Sequence, residues 1–323
     1  MRALTYTEYG PPSVVQVSDV PRPVPAEGEV LVRVEASAVN TSDWRIRAAA
    51  FPGITALPGR LLYGLWRPRN TRLGSEFAGV IASVGPRVTR FQPGDRVFGM
   101  TTGGGASAEY LAVPEDSAIA LRPEGLSSQE AAALPFGGLA ALVFLTQFGK
   151  VAPGQRVLIV GASGGVGAYA VQIAKALGAH VTGIAGPASQ GFVARLGADV
   201  TLDYTTQDAR QMTQRFDVIL DTVGAMPPST PRQLIQGGGV FLPLNMGLRE
   251  LGSALLNPFC RQKVVLGVNK DTAADLARLS ALVQSGAVRP VIDRVFALEE
   301  AAAAHAYVEA RHRQGALILR VAA

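Results

Sequence analysis

Val157–Val160 is an unbroken apolar run, followed at once by Gly161, Gly164, Gly165 and Gly167 and by an amphipathic stretch, Val166 to Leu177, that stops at Gly178. No other stretch constrains the fold so tightly. A continuous apolar tetrad reads as a strand buried on both faces. The glycines then have separate duties: the first turns the chain, the middle ones let backbone N–H groups approach a diphosphate, and the last lets helix pack on strand. The positive end of the helix dipole favours an anion there.

The Gly-x-x-Gly-Gly-x-Gly spacing alone is a weak signal, but its surroundings strengthen it. Strand-like runs follow at His180–Ile184, Val200–Asp203, Asp217–Asp221, Val240–Leu244 and Lys263–Val268, with helical stretches at Ser189–Leu196, Gln207–Arg215 and Pro228–Ile235 between them. Six strands with crossovers predict a doubly wound parallel sheet of Rossmann type. Before it, Ala3–Tyr6, Val14–Ser18, Glu29–Ala38, Glu76–Val84, Arg96–Phe98 and Ala108–Val113 read as short strands between Pro- and Gly-rich turns, an irregular β-barrel. From Pro123 the texture turns Ala-rich and helical, Gln129 to Gly149. After the sixth strand, Thr272–Ser285 and Glu299–Arg311 read as helices and Gly315–Val321 as a strand. The expected division is a barrel domain over 1–122, completed by 269–323, and a Rossmann domain over 123–268.

At 323 residues the chain is long enough for two cores. The opening Met1–Glu8 lacks the apolar region of a signal peptide, and the uncharged tract Ala131–Thr146 is too short to span a bilayer and is broken by Pro135, Gly137 and Gly138, so no integral membrane segment is expected. A single cysteine, Cys260, excludes an intrachain disulfide and fits the cytoplasm. The net charge of +5 comes from scattered arginines, which argues against a nucleic-acid partner. The exception is Trp44 to Ser75, with Arg45, Arg47, Arg60, Arg67, Arg69, Arg72 and no acidic residue.

Several stretches together carry a chain-wide resemblance: Met1–Leu4, Val39-Asn-Thr-Ser-Asp43, Leu73-Gly-Ser-Glu-Phe-Ala-Gly79, Gln92-Pro-Gly-Asp-Arg-Val97, Ala132-Ala-Leu-Pro135, the glycine turn, Leu196-Gly-Ala-Asp199 and Phe216–Asp221. They resemble the zinc-independent quinone oxidoreductase branch of the medium-chain dehydrogenase/reductase superfamily. The resemblance implies a GroES-like catalytic domain joined to the Rossmann domain, an active cleft between them, and a homodimer. The outer strand Lys263–Val268 would supply the dimer contact, since an open apolar edge is a liability.

The ligands available speak against zinc. A catalytic zinc needs three side-chain ligands and a structural one usually four, whereas this chain has Cys260 and three histidines, His180, His305 and His312, placed far apart. Without a metal, hydride transfer to a quinone or enone is easier than to a simple carbonyl, because the ring or enolate absorbs the charge. The expected activity is therefore NAD(P)H-dependent reduction of a small apolar quinone or enone. A metal-free carbonyl or alcohol oxidoreductase and a coenzyme-binding protein without turnover are the alternatives.

Asn40 and Asp43 match family positions beside the nicotinamide and are the candidate catalytic residues. Asp43 could equally cap a short helix over Trp44–Ala48. The chain departs from the family at Arg45, where some relatives carry tyrosine, and at Ala140, where threonine is common. Both leave the proton donor open, and Tyr63 is a substitute. The candidate coenzyme-binding set is Gly161, Ala162, Ser163, Gly164, Gly165 and Val166 in the turn, with Gly186, Tyr204 and Val223 beyond it. The first acidic residue after Gly161 is Asp199, too far on to meet a ribose 2′-hydroxyl. NADPH is therefore preferred weakly, with NADH possible, and Gly186 and Ala188 stand where relatives have a serine and a base. Finally, Phe51, Ile54, Leu57, Leu61, Leu62, Tyr63, Leu65 and Trp66 interleave with the arginines of the 48–72 segment, either as a flap over the acceptor or a surface for anionic partners, or as an ordinary helical insertion whose arginines snorkel.

Overall fold

The computed structural model describes residues 1–227, 229–311 and 313–322. The first part runs β1 (Arg2–Thr5), β2 (Gln16–Asp19), β3 (Glu29–Val39), α1 (Thr41–Ala48), α2 (Ala56–Tyr63), β4 (Glu76–Val84), β5 (Arg96–Met100), β6 (Tyr110–Pro114) and β7 (Ala118–Leu121). Helices α3 (Ser128–Ala132) and α4 (Pro135–Val143) lead into β8 (Arg156–Val160), α5 (Gly167–Ala176), β9 (His180–Ala185), α6 (Gln190–Arg195), β10 (Val200–Asp203), β11 (Phe216–Asp221), α7 (Ser229–Leu234), β12 (Ile235–Pro243), α8 (Leu248–Leu255) and β13 (Lys263–Val264). The chain ends with α9 (Ala273–Gln284), β14 (Ile292–Ala297), α10 (Ala301–Glu309) and β15 (Ala316–Arg320).

Strands β8 to β13 form a six-stranded parallel sheet in the order β10-β9-β8-β11-β12-β13, the doubly wound topology expected, with its switch point between β8 and β11. The other main sheet runs β14-β15-β3-β4-β5-β7, with β6 also on β3. The C-terminal return is thus physical: β15 pairs antiparallel with β3, Leu317 against Val39 and Ile318 against Ala38. Each sheet has its own apolar core, one around Phe77, Ile81, Val97 and Leu319, the other around Leu139, Ile159, Tyr169 and Leu220.

The structure corrects three local expectations. Gln207–Arg215 is not a helix; only a 3₁₀ turn at Ala209–Gln211 forms, because Asp203 draws the N–H and hydroxyl of Thr205 into a turn and few apolar residues are available to anchor a helix. The expected strand 263–268 shrinks to Lys263–Val264, since the side chain of Asn257 takes both the N–H (2.9 Å) and the C=O (2.8 Å) of Val264 as a neighbouring strand would. The Gln129–Gly149 stretch breaks at Pro135 and ends in a π-helical turn at Phe144–Phe148. Sequence patterning also missed β7 and β14, whose alternation is short or interrupted. Of the expected helix 228–235, Pro228 lies outside the described residues; the remainder is α7.

Candidate active site

Two groups of residues face one another across the seam between the sheets. On the nucleotide side, Gly161 has φ +77°, and a Cβ there would lie 2.6 Å from the Thr222 hydroxyl and Val223. A Cβ on Gly167 would lie 2.0 Å from the Gly161 carbonyl, so both positions require glycine. A Cβ on Gly164 would meet only the Gly161 carbonyl oxygen, at 3.5 Å, so this face of the turn is not tightly packed. The N–H groups of Gly161 and Ala162 both go to the Ile184 carbonyl, and that of Gly164 to the Gly161 carbonyl. Ala162 is fully buried under the turn, whereas Gly161, Ser163, Gly164, Gly165 and Val166 are half-buried. Gly186 and Tyr204 are neighbours at the C-terminal ends of β9 and β10, the Tyr204 hydroxyl 3.3 Å from the position of a Gly186 Cβ, and Tyr204 is exposed. Val223 borders Gly161 and is held by Asp221, whose carboxylate accepts N–H bonds from Val223, Gly224 and Met226. Asp199 lies at the opposite end of the sheet, bonded to Val181 N–H and Lys175.

On the other side, Asn40 rather than Asp43 is the N-cap of α1, and Asp43 sits at the third helical position of a capping box. The Asn40 carbonyl oxygen accepts from the N–H groups of Ser42 (2.7 Å) and Asp43 (3.2 Å), while its amide donates to Ser75 Oγ and Glu76 Oε2, both at 2.8 Å. Asp43 accepts from Asn40 N–H and Ser75 Oγ. Asn40 and Asp43, the expected catalytic residues, are both buried and hydrogen-bonded to neighbouring groups of the protein. Burial pushes the Asp43 carboxyl up to about 6 and that of Glu76 up to about 8.

Glu76 and Arg313 were missed at the level of sequence. Glu76 accepts from Asn40 and, through Oε1, from the Phe136 N–H (2.8 Å) at the start of α4. The next residue, Gly137, abuts the Gly165 carbonyl. Glu76 therefore links the Asn40 cluster to the coenzyme turn. Arg313 is buried, donates to the Val39 carbonyl and Thr41 Oγ1 (3.1 Å each), and lies with Nη2 3.0 Å from where a Gly165 Cβ would be. Burial lowers its pKa to about 10, opposed by the charges of Glu76 and Asp43.

At the cleft mouth, Arg45 Nη2 donates to Asn245 Oδ1 across the seam (2.9 Å), and Gly53 packs on Met246 and Gly247. A hollow of about 450 Å³ opens there between Gly53, Ile54 and Gly247–Glu250. The larger hollow, about 670 Å³, lies among Gln172, Lys175, Arg195 and Arg289, away from the Asn40 cluster. Tyr63 stacks on Phe51 with centroids 5.5 Å apart, and its phenol is held above its ordinary range by burial and by the charge of Asp43. Arg47, counted with the basic segment, is instead wholly buried and paired with Glu309 at 2.5 Å.

The donor chemistry does not suit zinc. The Asn40 amide is spent on Ser75 and Glu76, and the Arg313 guanidinium already supplies a positive charge that acts on Glu76 and Asp43. Among the described residues no three of His, Cys, Asp and Glu gather; His180 pairs with Asp199, His305 is buried in α10, and His312 lies outside the described residues.

Residues 26–123 match the alcohol dehydrogenase GroES-like domain family and residues 196–319 the family described as zinc-binding dehydrogenase. The chain is 32% identical over 340 residues to a chloroplastic quinone oxidoreductase of Triphysaria versicolor, covering 99% of this chain and 98% of that protein. It is 31% identical over 336 residues to the 2-methylene-furan-3-one reductase of Solanum lycopersicum, covering 99% and 79%. The Escherichia coli quinone oxidoreductase complexed with NADPH superposes with a TM-score of 0.84 at 26% identity, over 99% of this chain and 100% of that one. The fold and the extent of these matches place the chain in the quinone oxidoreductase branch of the medium-chain dehydrogenase/reductase superfamily.

Proposed function

We propose that this protein reduces quinones and conjugated C=C bonds with a hydride from NADPH, and less readily from NADH. The observation that carries the reading is the glycine turn at Gly164, facing a metal-unsuited cleft whose Asn40 cluster is tied to it through Glu76 and α4. The bound coenzyme supplies the hydride. The chain's own residues do the rest. Ser163, Gly165 and Val166 hold the diphosphate, with Arg313 beside the turn; Gly186, Tyr204 and Val223 line the path to the adenosine end; Asn40 and Asp43 hold the wall beside the nicotinamide. Tyr63, stacked on Phe51 and within the electrostatic reach of Asp43, is assigned as the phenol near the Asn40 cluster that carries a transferable proton. The relatives named for quinones and for a furanone C=C bond, and the solved relative with NADPH, support the substrate and coenzyme classes. A quinone and enone panel should accelerate NADPH oxidation. Background rates on every acceptor, with tight coenzyme binding by calorimetry, would refute the reading.

Two further parts belong to this proposal. The compartment is the cytoplasm, inferred from the lone cysteine; among the described residues no helix is long and apolar enough to cross a membrane. The assembly is a homodimer through the face of α8 and β13, where Leu255, Leu256, Phe259 and Val268 are exposed. Because Asn257 occupies the outer edge at Val264, side chains rather than strand pairing would carry it. Light scattering at micromolar concentration should give twice the chain mass.

A further inference from the structure

The basic segment between Trp44 and Ser75 separates into two populations. Arg45 and Arg47 turn inward, to Asn245 and Glu309. Arg67 and Arg69 are exposed and Arg60 and Arg72 half-buried, and the exposed Leu57, Leu61, Leu62, Leu65 and Trp66 lie among them. Leu57 and Leu61 are one helical turn apart and share a face of α2, and Leu62 lies beside Leu61 around the helix. All meet solvent, as does Trp66 beyond the helix: Leu57 is 64%, Leu62 66% and Trp66 83% exposed. Single exposed leucines are ordinary, but five large apolar side chains within ten residues mark a contact surface. The patch is also held in shape. Arg60 donates to the Leu65 carbonyl, Tyr9 Oη donates to the Gly64 carbonyl, and Phe51 packs beneath Gly59.

Charge decides what covers it. A second copy docking by two-fold symmetry would set these arginines against themselves, since the segment contributes no acidic residue. Apolar side chains flanked by arginines, with a tryptophan at the boundary, instead match a segment that lies in a bilayer interface over anionic headgroups. We propose that the α2 flap docks on an anionic lipid surface, with Leu57, Leu61, Leu62, Leu65 and Trp66 entering the interface and Arg60, Arg67 and Arg69 meeting the lipid phosphates. The same flap carries the Phe51–Tyr63 stack on the side of Asp43. Resting on the proposed quinone reduction, docking would open the cleft toward the phase in which apolar quinones dissolve.

The chain has two tryptophans, and the other, Trp44, is buried, so fluorescence reports on Trp66. The full chain is mixed with vesicles of equal phosphatidylglycerol and phosphatidylcholine, or of phosphatidylcholine alone. Co-sedimentation and a blue shift of emission are expected with the anionic vesicles only, and Trp66→Phe should abolish the shift but not the sedimentation. Arg67→Gln with Arg69→Gln should lower the partition coefficient roughly 20- to 30-fold at low salt, and Leu61→Ser should lower it further, while turnover of a water-soluble quinone is unchanged. No sedimentation, equal binding by the patch variants, or a lipid-free dimer that Leu61→Ser dissolves would each overturn the proposal. Vesicle binding requires no turnover, so a protein that docks but reduces nothing refutes only the activity, and one that reduces quinones but ignores vesicles refutes only the docking.

Discussion

Replacing Glu76 by glutamine tests the buried link between the two halves of the site. The carboxyl is enclosed, with its proton affinity raised by burial and by Asp43 against the opposing pull of the Asn40 and Phe136 N–H donors and Arg313. Folded protein therefore holds this proton up to about pH 8, whereas the unfolded chain releases it near 4.5. Between those values the folded state binds more protons, so stability is greatest below pH 4.5 and declines as pH rises to about 8. At about 1.4 kcal/mol per pH unit and group, the loss is at most about 5 kcal/mol. Glutamine cannot ionise and removes this slope. It introduces a pH-independent cost of about 1–3 kcal/mol, because its NH₂ must face either Asn40 Nδ2 or Phe136 N–H, both donors. Urea unfolding of both proteins at pH 5, 6.5, 8 and 9, at fixed ionic strength, gives the difference, in which the titration of Asp43 near 6 largely cancels. The variant should be the less stable at pH 5 and gain on the parent by several kcal/mol by pH 8.5. Parallel profiles would show that Glu76 ionises normally inside the fold and that this account of the link is wrong.

Other expectations follow from the same contacts. Gly167→Ala places a Cβ 2.0 Å from the Gly161 carbonyl, so coenzyme binding by calorimetry should be lost even where circular dichroism shows a folded chain. The Arg47–Glu309 pair is lopsided, one partner enclosed and the other 40% exposed. Glu309→Gln, which strands a buried cation, should cost about 3 kcal/mol, against about 1–2 for Arg47→Met, which leaves an acid free to hydrate; equal losses in denaturant titrations would contradict this. Gly186 has an ordinary φ of −72°, so serine fits there if it bonds Tyr204. Gly186→Ser with Ala188→Arg should shift the ratio of NADH to NADPH dissociation constants toward NADPH by roughly 1.5–3 kcal/mol, and an unchanged ratio would remove the assigned 2′-phosphate site.

The parts of this molecule readable from its sequence are those whose cause is local. The glycine turn is such a case, since Gly161 and Gly167 are required by backbone geometry within one strand–turn–helix unit. The Asn40 cluster was only half legible: an asparagine with an acid three residues on is a capping-box signature as much as a catalytic one, and the structure forms the capping box. Glu76 and Arg313 could not be read, because their burial depends on β4 and the C-terminal segment meeting the cleft from distant parts of the chain. Arg313 in particular reads as one of a basic run with Arg311. The 207–215 segment and the outer strand failed for a related reason: Asp203 and Asn257 replace regular backbone hydrogen bonds with side-chain ones, which periodicity does not register.

The position of β15 bears on how the protein is made. Ala38 and Ile318 are register partners, so the strand that delivers Asn40, though paired on one side with β4, lacks β15 until residues 316–320 have been synthesised. The parallel sheet needs only residues 156 to 264 and is available to fold while the ribosome is still at work. Through that interval the barrel carries an unpaired edge at Ala36–Val39, a site for chaperone capture or for pairing with the wrong strand. The cleft wall is thus completed last, on a coenzyme platform already standing.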